Sequence, residues 1–279
     1  MLLTAITRLT ALGALVLLTA CAAPPTSTAP IAPATVPGYE GVQDGEFFIE
    51  PVPAHYLTGT MPRAQVAFNG DDAPGTIVVD PFARNLYYVL PGGQAMRYTI
   101  AVGRTGLGFR GSATVNRKQE WPSWTPTANM VRTFPEMYAE YAGGLPGGLI
   151  NPLGARALYL YRGGRDTYFR IHGTRENTSI GKATSAGCIR LFNQDAIDLY
   201  GRVNLGTKVR VRTREESERL EGKWIDNEDG YLIPYSEGVE AEILRRKAAK
   251  EAAEAAAKQA ELASADAARE AQLTGQPQG

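Results

Sequence analysis

Cysteine and histidine are scarce in this chain, with two of each among 279 residues. Two cysteines are too few for a disulfide scaffold. The set of soft and imidazole ligands is too small for a metal site. Net charge is missing as well, because Lys plus Arg and Asp plus Glu are 29 each. That balance removes the electrostatic case for a nucleic-acid partner. The apolar run from about Leu9 to Leu18 is too short and too early for a stable bilayer span. What remains is an ordinary apolar content of 44%, enough for one good-sized domain with extensions or for two small domains.

The segment MLLTAITRLTALGALVLLTAC carries one basic residue, Arg8, ahead of that apolar run. It reads as an export signal. The small residues before Cys21 resemble the lipobox of bacterial lipoproteins, in which such a cysteine becomes the lipidated N-terminus. An ordinary signal peptide cut near ACAA is the alternative. Ala22 follows the cysteine in place of an inner-membrane-retaining aspartate. The resemblance therefore implies an outer-membrane anchor facing the periplasm. With Cys21 lipidated, Cys188 is the one remaining thiol of an exported protein. It is either a reactive thiol or a small buried hydrophobe. The Pro-, Ala- and Thr-rich stretch after Cys21 cannot build a core and forms a tether of roughly 3 Å per residue.

From Thr76 onward, TIVVD, NLYYVL, AMRYTIAVG, ALYLYRGGRDTYFRIHG and TKVRVRT read as strands separated by turns. NQDAIDLYGRV is the one helical stretch in this block, with Asn193 as a plausible N-cap. The expected organisation is a signal at 1–20, a lipidated cysteine and tether with an unassigned segment at 21–74, a mainly β domain at 75–213, and a charged extension at 214–279. Residues 110–156 are rich in Gly, Pro and aromatics and read as a functional loop or lid. Trp121 and Trp124 either line a groove there or cover the edge of the core. The Ala-rich tail has Lys250, Glu254 and Lys258 at helix-supporting spacing. It lacks the apolar seam of a coiled coil, so it reads as a solvated helix. His55 lies outside the β block and reads as a packing or surface residue.

His172 and Cys188 stand 16 residues apart in IHGTRENTSIGKATSAGCIRLFN. A free thiol is only a few per cent ionised at neutral pH, and a neighbouring imidazole raises the reactive fraction by taking its proton. Gly173 and Gly187 let backbone approach both side chains. The N–H groups of Gly187 and Cys188 are candidate donors to an oxyanion. Arg190 shares a face with Cys188 if a strand begins there, where it would neutralise a substrate carboxylate or form an ordinary ion pair.

The combination of His-Gly-Thr with Ser-Ala-Gly-Cys-Ile-Arg is similar to the signature of the YkuD-type L,D-transpeptidases, the ErfK/YbiS/YcfS/YnhG group. WPSWTPT and NPLGARALYL also look like that family, and the resemblance covers about 75–213. It implies a β-sandwich-like catalytic domain with short helices and no metal or organic cofactor. Cys188 would attack a peptidoglycan tetrapeptide stem and expel D-alanine. His172 would act as the base. The thioester would pass to diaminopimelate of a second stem as a 3→3 cross-link, to an outer-membrane protein, or to water. Carbapenems acylate this cysteine in typical members. Gly173 and Thr174 are candidates to orient His172, and Ser185, Arg190, Trp121 and Trp124 to bind substrate. Ala186 replaces the histidine many members carry there. A hydrolase with the same site and a non-catalytic wall anchor are the competing readings.

Overall fold

The computed structural model describes residues 36–104, 108–185 and 187–274. The expected signal, Cys21, the tether up to residue 35 and Ala186 lie outside the described residues.

Among the described residues, fifteen strands form in chain order. They are β1 (Val42–Asp44), β2 (Phe47–Ile49), β3 (Ala64–Ala67), β4 (Ile77–Asp80) and β5 (Asn85–Leu90). Next come β6 (Gln94–Thr99), β7 (Val102–Gly103), β8 (Ser112–Glu120), β9 (Arg156–Arg162) and β10 (Arg165–His172). The last are β11 (Ala183–Ser185), β12 (Ile189–Arg190), β13 (Lys208–Val211), β14 (Trp224–Asp226) and β15 (Leu232–Pro234). Nine of them make one mixed sheet in the order β12-β10-β9-β8-β13-β4-β5-β6-β3. Ile77, Leu86 and Tyr98 from one half of that order share a single core with Val115, Leu160, Ile171 and Ile189 from the other. The sheet therefore curls over itself, and this is how the expected sandwich-like domain is built.

The helices are α1 (Ala128–Thr133), α2 (Pro135–Tyr138), α3 (Asn193–Arg202), α4 (Arg214–Glu221) and α5 (Glu237–Thr274). α3 lies on the core through Ala196 and Leu199. Its N-cap is Phe192, one residue earlier than expected, with no side-chain cap. Asn193 is thereby left to serve another purpose.

Two stretches differ from expectation. Residues 112–120 are not loop but the longest strand of the sheet, β8, paired with both β9 and β13. Only Ala113 and Val115 of this strand are buried, so its apolar alternation is short. Arg117 lies over the Tyr159 ring and Lys118 over the Tyr200 ring, so their long stems cover sheet surface while the sequence reads as polar. The unassigned segment before residue 75 is also part of the fold. β3 closes the sheet edge against β6, and Tyr39, Val52 and Leu57 pack with Phe192 and Ile180. Arg63 donates to Asp195 of α3 at 2.9 Å, and Gln194 donates to the Glu40 and Glu50 carbonyls.

On the C-terminal side, Arg212 is fully buried and pairs with Asp80 and Glu221. That arrangement locks α4 to the end of β4. The tail forms the long helix expected of it, and its residues 250–265 are exposed.

Candidate active site

His172 ends β10, and β12 runs parallel to it with Ile171 opposite Ile189 and His172 opposite Arg190. Opposed residues in a parallel pair point to the same face, and so do residues two apart. His172, Arg190 and Arg170 therefore share one face, and Cys188 leads into β12 beside them. A bulge interrupts β10 between Asp166 and Arg170. It puts Tyr168 in the left-handed region at φ 63°, breaking the simple alternation expected of Tyr168, Arg170 and His172. The strained turn has a use: the Tyr168 carbonyl comes to 3.9 Å from the Cys188 sulfur and accepts its weak S–H bond.

The His172 ring is 4% exposed, and its Nδ1 lies 2.6 Å from the Gly173 carbonyl oxygen. A carbonyl only accepts, so Nδ1 carries the proton and Nε2 keeps its lone pair. Of the two groups expected to orient the ring, Gly173 does so. The Thr174 hydroxyl is engaged elsewhere, accepting the Glu176 N–H at 3.0 Å. Burial pushes the imidazole down to about 3, against the Gly173 carbonyl and with the positive charges of Arg190 and Arg170. Burial pushes the half-buried Cys188 thiol up, against the Arg170 backbone N–H and the charges of Arg170 and Arg190. The resting pair at neutral pH is a thiol and a neutral imidazole, not an ion pair.

Ser185 is buried beneath the loop that carries the thiol. Its hydroxyl donates to the Cys188 carbonyl at 2.6 Å and accepts the Gly187 N–H at 3.1 Å. This spends the Gly187 N–H expected for an oxyanion. The Cys188 N–H has no acceptor among the described residues. Ser185 thus shapes the loop, where a contact with substrate was expected. Gly187 sits at φ 131°, and a Cβ on Gly103 would meet its Cα at 2.8 Å. Two backbones close here as only glycines allow.

Arg190 donates to Glu176 at 2.8 Å, and that carboxylate is half exposed. The two tryptophans have different surroundings. Trp121 packs on Phe47 at 4.4 Å between ring centres and covers the core edge. Trp124 exchanges both backbone hydrogen bonds with Leu145 and lies near Tyr138 and Tyr141. It belongs to the stretch between β8 and β9, in which Phe134, Met137, Leu149 and Ile150 are exposed.

Asn193 has a structural role that its place in the sequence does not announce. Its Oδ1 accepts the Ala155 N–H at 2.9 Å. A Cβ on Gly173 would meet the same oxygen at 2.2 Å, and one on Gly154 would meet it at 2.3 Å. The amide thus holds the residue just before β9, and Gly173 is bonded to that strand through its N–H to the Arg156 carbonyl at 3.0 Å. The glycine in NPLGARALYL and the asparagine after CIRLF are the available signals, and neither has meaning until the two segments meet.

A family model described as the L,D-transpeptidase catalytic domain, YkuD, matches residues 74–211. An Escherichia coli K12 protein named as a probable L,D-transpeptidase, ErfK/SrfK, is 37% identical over 138 residues, which are 48% of this chain and 43% of that protein. A Fuscovulum blasticum protein named for the same family is 35% identical over 48% of this chain and 68% of its own length. A Brucella melitensis crystal structure described as a probable carnitine operon oxidoreductase is 48% identical over 55% of this chain and 94% of that one, with a TM-score of 0.39. The match spans less than half the length of the Escherichia coli relative.

Proposed function

The chain belongs to the L,D-transpeptidase catalytic domain family, and from that premise we propose that it is a cysteine acyltransferase acting on peptidoglycan stem peptides. The observation that supports the chemistry most is the His172 tautomer. With Nδ1–H given to the Gly173 carbonyl, Nε2 is left as the basic nitrogen, and His172 stands at the end of β10 beside β12, into which Cys188 leads.

In this reading the Cys188 sulfur attacks the carbonyl of the L-centre before the terminal D-alanine, and its proton passes to Nε2. The Gly173 carbonyl steadies the resulting imidazolium. The negative charge of the tetrahedral intermediate falls near the free Cys188 N–H. The peptide C–N bond breaks as the imidazolium protonates the departing amine, which leaves a thioester. An incoming amine then gives its proton to His172 and takes the acyl group, and the thiol is restored. Arg190 is available to a substrate carboxylate if that group displaces Glu176, which is half exposed.

The acceptor is a diaminopimelate amine on a second stem, giving a 3→3 cross-link, or an amine of an outer-membrane protein. The apolar run before Cys21 and the small residues flanking it support a lipid-anchored periplasmic protein at the outer membrane.

Incubation with a disaccharide-tetrapeptide, followed by mass spectrometry beside Cys188→Ala, tests the reading. Loss of D-alanine with formation of a dimer supports cross-linking. Loss of D-alanine alone moves the acceptor to water or protein. No reaction in the unaltered chain, with a thiol inert to carbapenems, overturns the enzyme and favours a wall anchor.

A further inference from the structure

A cavity of about 640 Å³ lies apart from Cys188 and His172. Its floor is one face of the β5–β6 pair, where Tyr87 stands opposite Arg97 and Asn85 opposite Thr99. One wall is Tyr56 and Met61, and the facing wall is Trp224, Tyr231 and Leu232 of the β14–β15 hairpin. Both walls come from outside residues 74–211, the segment shared with the family. The extensions thus enclose a space that the catalytic domain alone would leave open. Its volume falls in the range of small-molecule sites, which typically combine an apolar lining with a few fixed polar groups.

The charges around this space do not cancel. Arg84 is buried and fully engaged, with Asp226, the Gly181 carbonyl and the Pro81 carbonyl as acceptors. Glu221 is held by Arg212 at 2.6 Å. Arg97 differs from both. Its Nη2 donates to the Thr60 and Pro62 carbonyls. Its Nε is buried without a partner, while its Nη1 is unpaired among the described residues and not enclosed, which leaves Nη1 as the donor open to a ligand; no carboxylate pairs with the guanidinium among the described residues. A half-buried guanidinium with donors to spare and no counter-charge is costly unless an anion completes it. Glu221 and Asp226 nearby disfavour a second negative charge. Trp224 is fixed by its indole N–H to the Glu221 carbonyl at 3.1 Å and is half-buried, which leaves ring surface for an apolar body.

We propose that this cavity binds a small monocarboxylate with an aromatic or apolar body, its carboxylate on Arg97 and its body between Tyr56 and Trp224. The site is independent of the thiol chemistry. It touches that chemistry at one point, because Arg84 in its wall holds the carbonyl of Gly181, in the loop joining His172 to Cys188.

The test titrates the full chain with N-acetylphenylalaninate and, separately, with the uncharged N-acetylphenylalaninamide. The indole N–H signal of Trp224 is followed by NMR and assigned by its disappearance in Trp224→Phe. The expected result is a saturable shift with the carboxylate, affinity weaker by roughly tenfold or more with the amide, and a similar loss in Arg97→Gln. Cys188→Ala should bind as the unaltered chain does, which separates this site from the reactive one. Equal affinity for acid and amide overturns the proposal. So does a Trp224 signal unmoved at millimolar probe, or an effect abolished by Cys188→Ala. The acid–amide comparison uses the unaltered chain, so it holds even if Arg97→Gln disturbs the segment around Thr60.

Discussion

At the scale of single residues, the His172 imidazole and the Cys188 thiol are governed by burial more than by the arginines beside them. The thiol stays protonated because its surroundings raise its pKa. Alkylation of Cys188 by iodoacetamide should therefore be slower at neutral pH than that of an ordinary exposed thiol, with its rise displaced to higher pH. His172 has a matching signature in stability. Its pKa falls from 6.5 to about 3 on folding. Across that window the unfolded chain binds a proton the folded chain refuses, so stability falls as pH drops. Denaturant unfolding at pH 7 and pH 4 should show a smaller acid loss in His172→Gln than in the unaltered chain. Asn193 acts through its neighbours as a positioning residue. Asn193→Ala releases the Ala155 N–H just before β9, the strand to which Gly173 is bonded through the Arg156 carbonyl, and a shift of even about 1 Å in a reacting group costs on the order of a hundredfold in rate. The expected outcome is a fall in kcat with KM little changed and an altered pH profile of Cys188 alkylation. A purely structural role would leave that profile alone.

At the scale of elements, the site depends on loops that cross between strands. Gly154 adopts φ 61°, and a side chain there would run into Asn193 Oδ1 at 2.3 Å and the Gly173 carbonyl carbon at 2.6 Å. Gly154→Ala should cost at least about 1 kcal/mol and lower activity together with stability, read by thermal unfolding beside turnover. α3 is tied to the N-terminal segment by Arg63 and the fully buried Asp195. Burial already lifts Asp195 to about 6, and Arg63 opposes that rise. Removing Arg63 leaves a buried carboxylate uncompensated, which typically costs about 3–5 kcal/mol. The sign against pH follows from linkage: a carboxylate with a raised folded pKa loses stability as pH rises through it. Arg63→Ala should therefore be more damaging at pH 8 than at pH 5. An equal loss at both would show that Asp195 is not the group involved.

At the scale of the whole molecule, the catalytic sheet is clasped from both sides by segments outside the family match. The N-terminal segment is held by Gln194, Arg63 and the Arg156–Asp44 pair. The C-terminal segment is held by the buried Arg212 with Asp80 and Glu221. α5 contributes to this clasp at its start, where Ile243 is 3% exposed and Lys247 reaches the Asp226 carbonyl. Ending the chain after Lys250 should leave the melting temperature and turnover unchanged while reducing the helical signal in circular dichroism. A drop in melting temperature would mean that the exposed part of α5 supports the fold.

The placing of one histidine and one cysteine by neighbouring strands, the glycines beside them and the main strand runs were all legible in the residues. Each depends on local chemistry: β-branched alternation makes strands, and a thiol needs a base within reach. The tertiary structure alone decided what those groups can do. Whether Gly173 or Thr174 orients His172, and whether the Gly187 N–H is free, depends on which partners arrive from segments far away in the chain. Ser185 and Asn193 look like a substrate contact and a helix cap until the loop at 187 and the turn at 154 are brought against them. β8 escaped notice because Arg117 and Lys118 lie over aromatic rings of other elements, a contact no local pattern records. The pKa values followed the same logic, since burial is a property of the packed whole and the sequence holds only the groups to be buried.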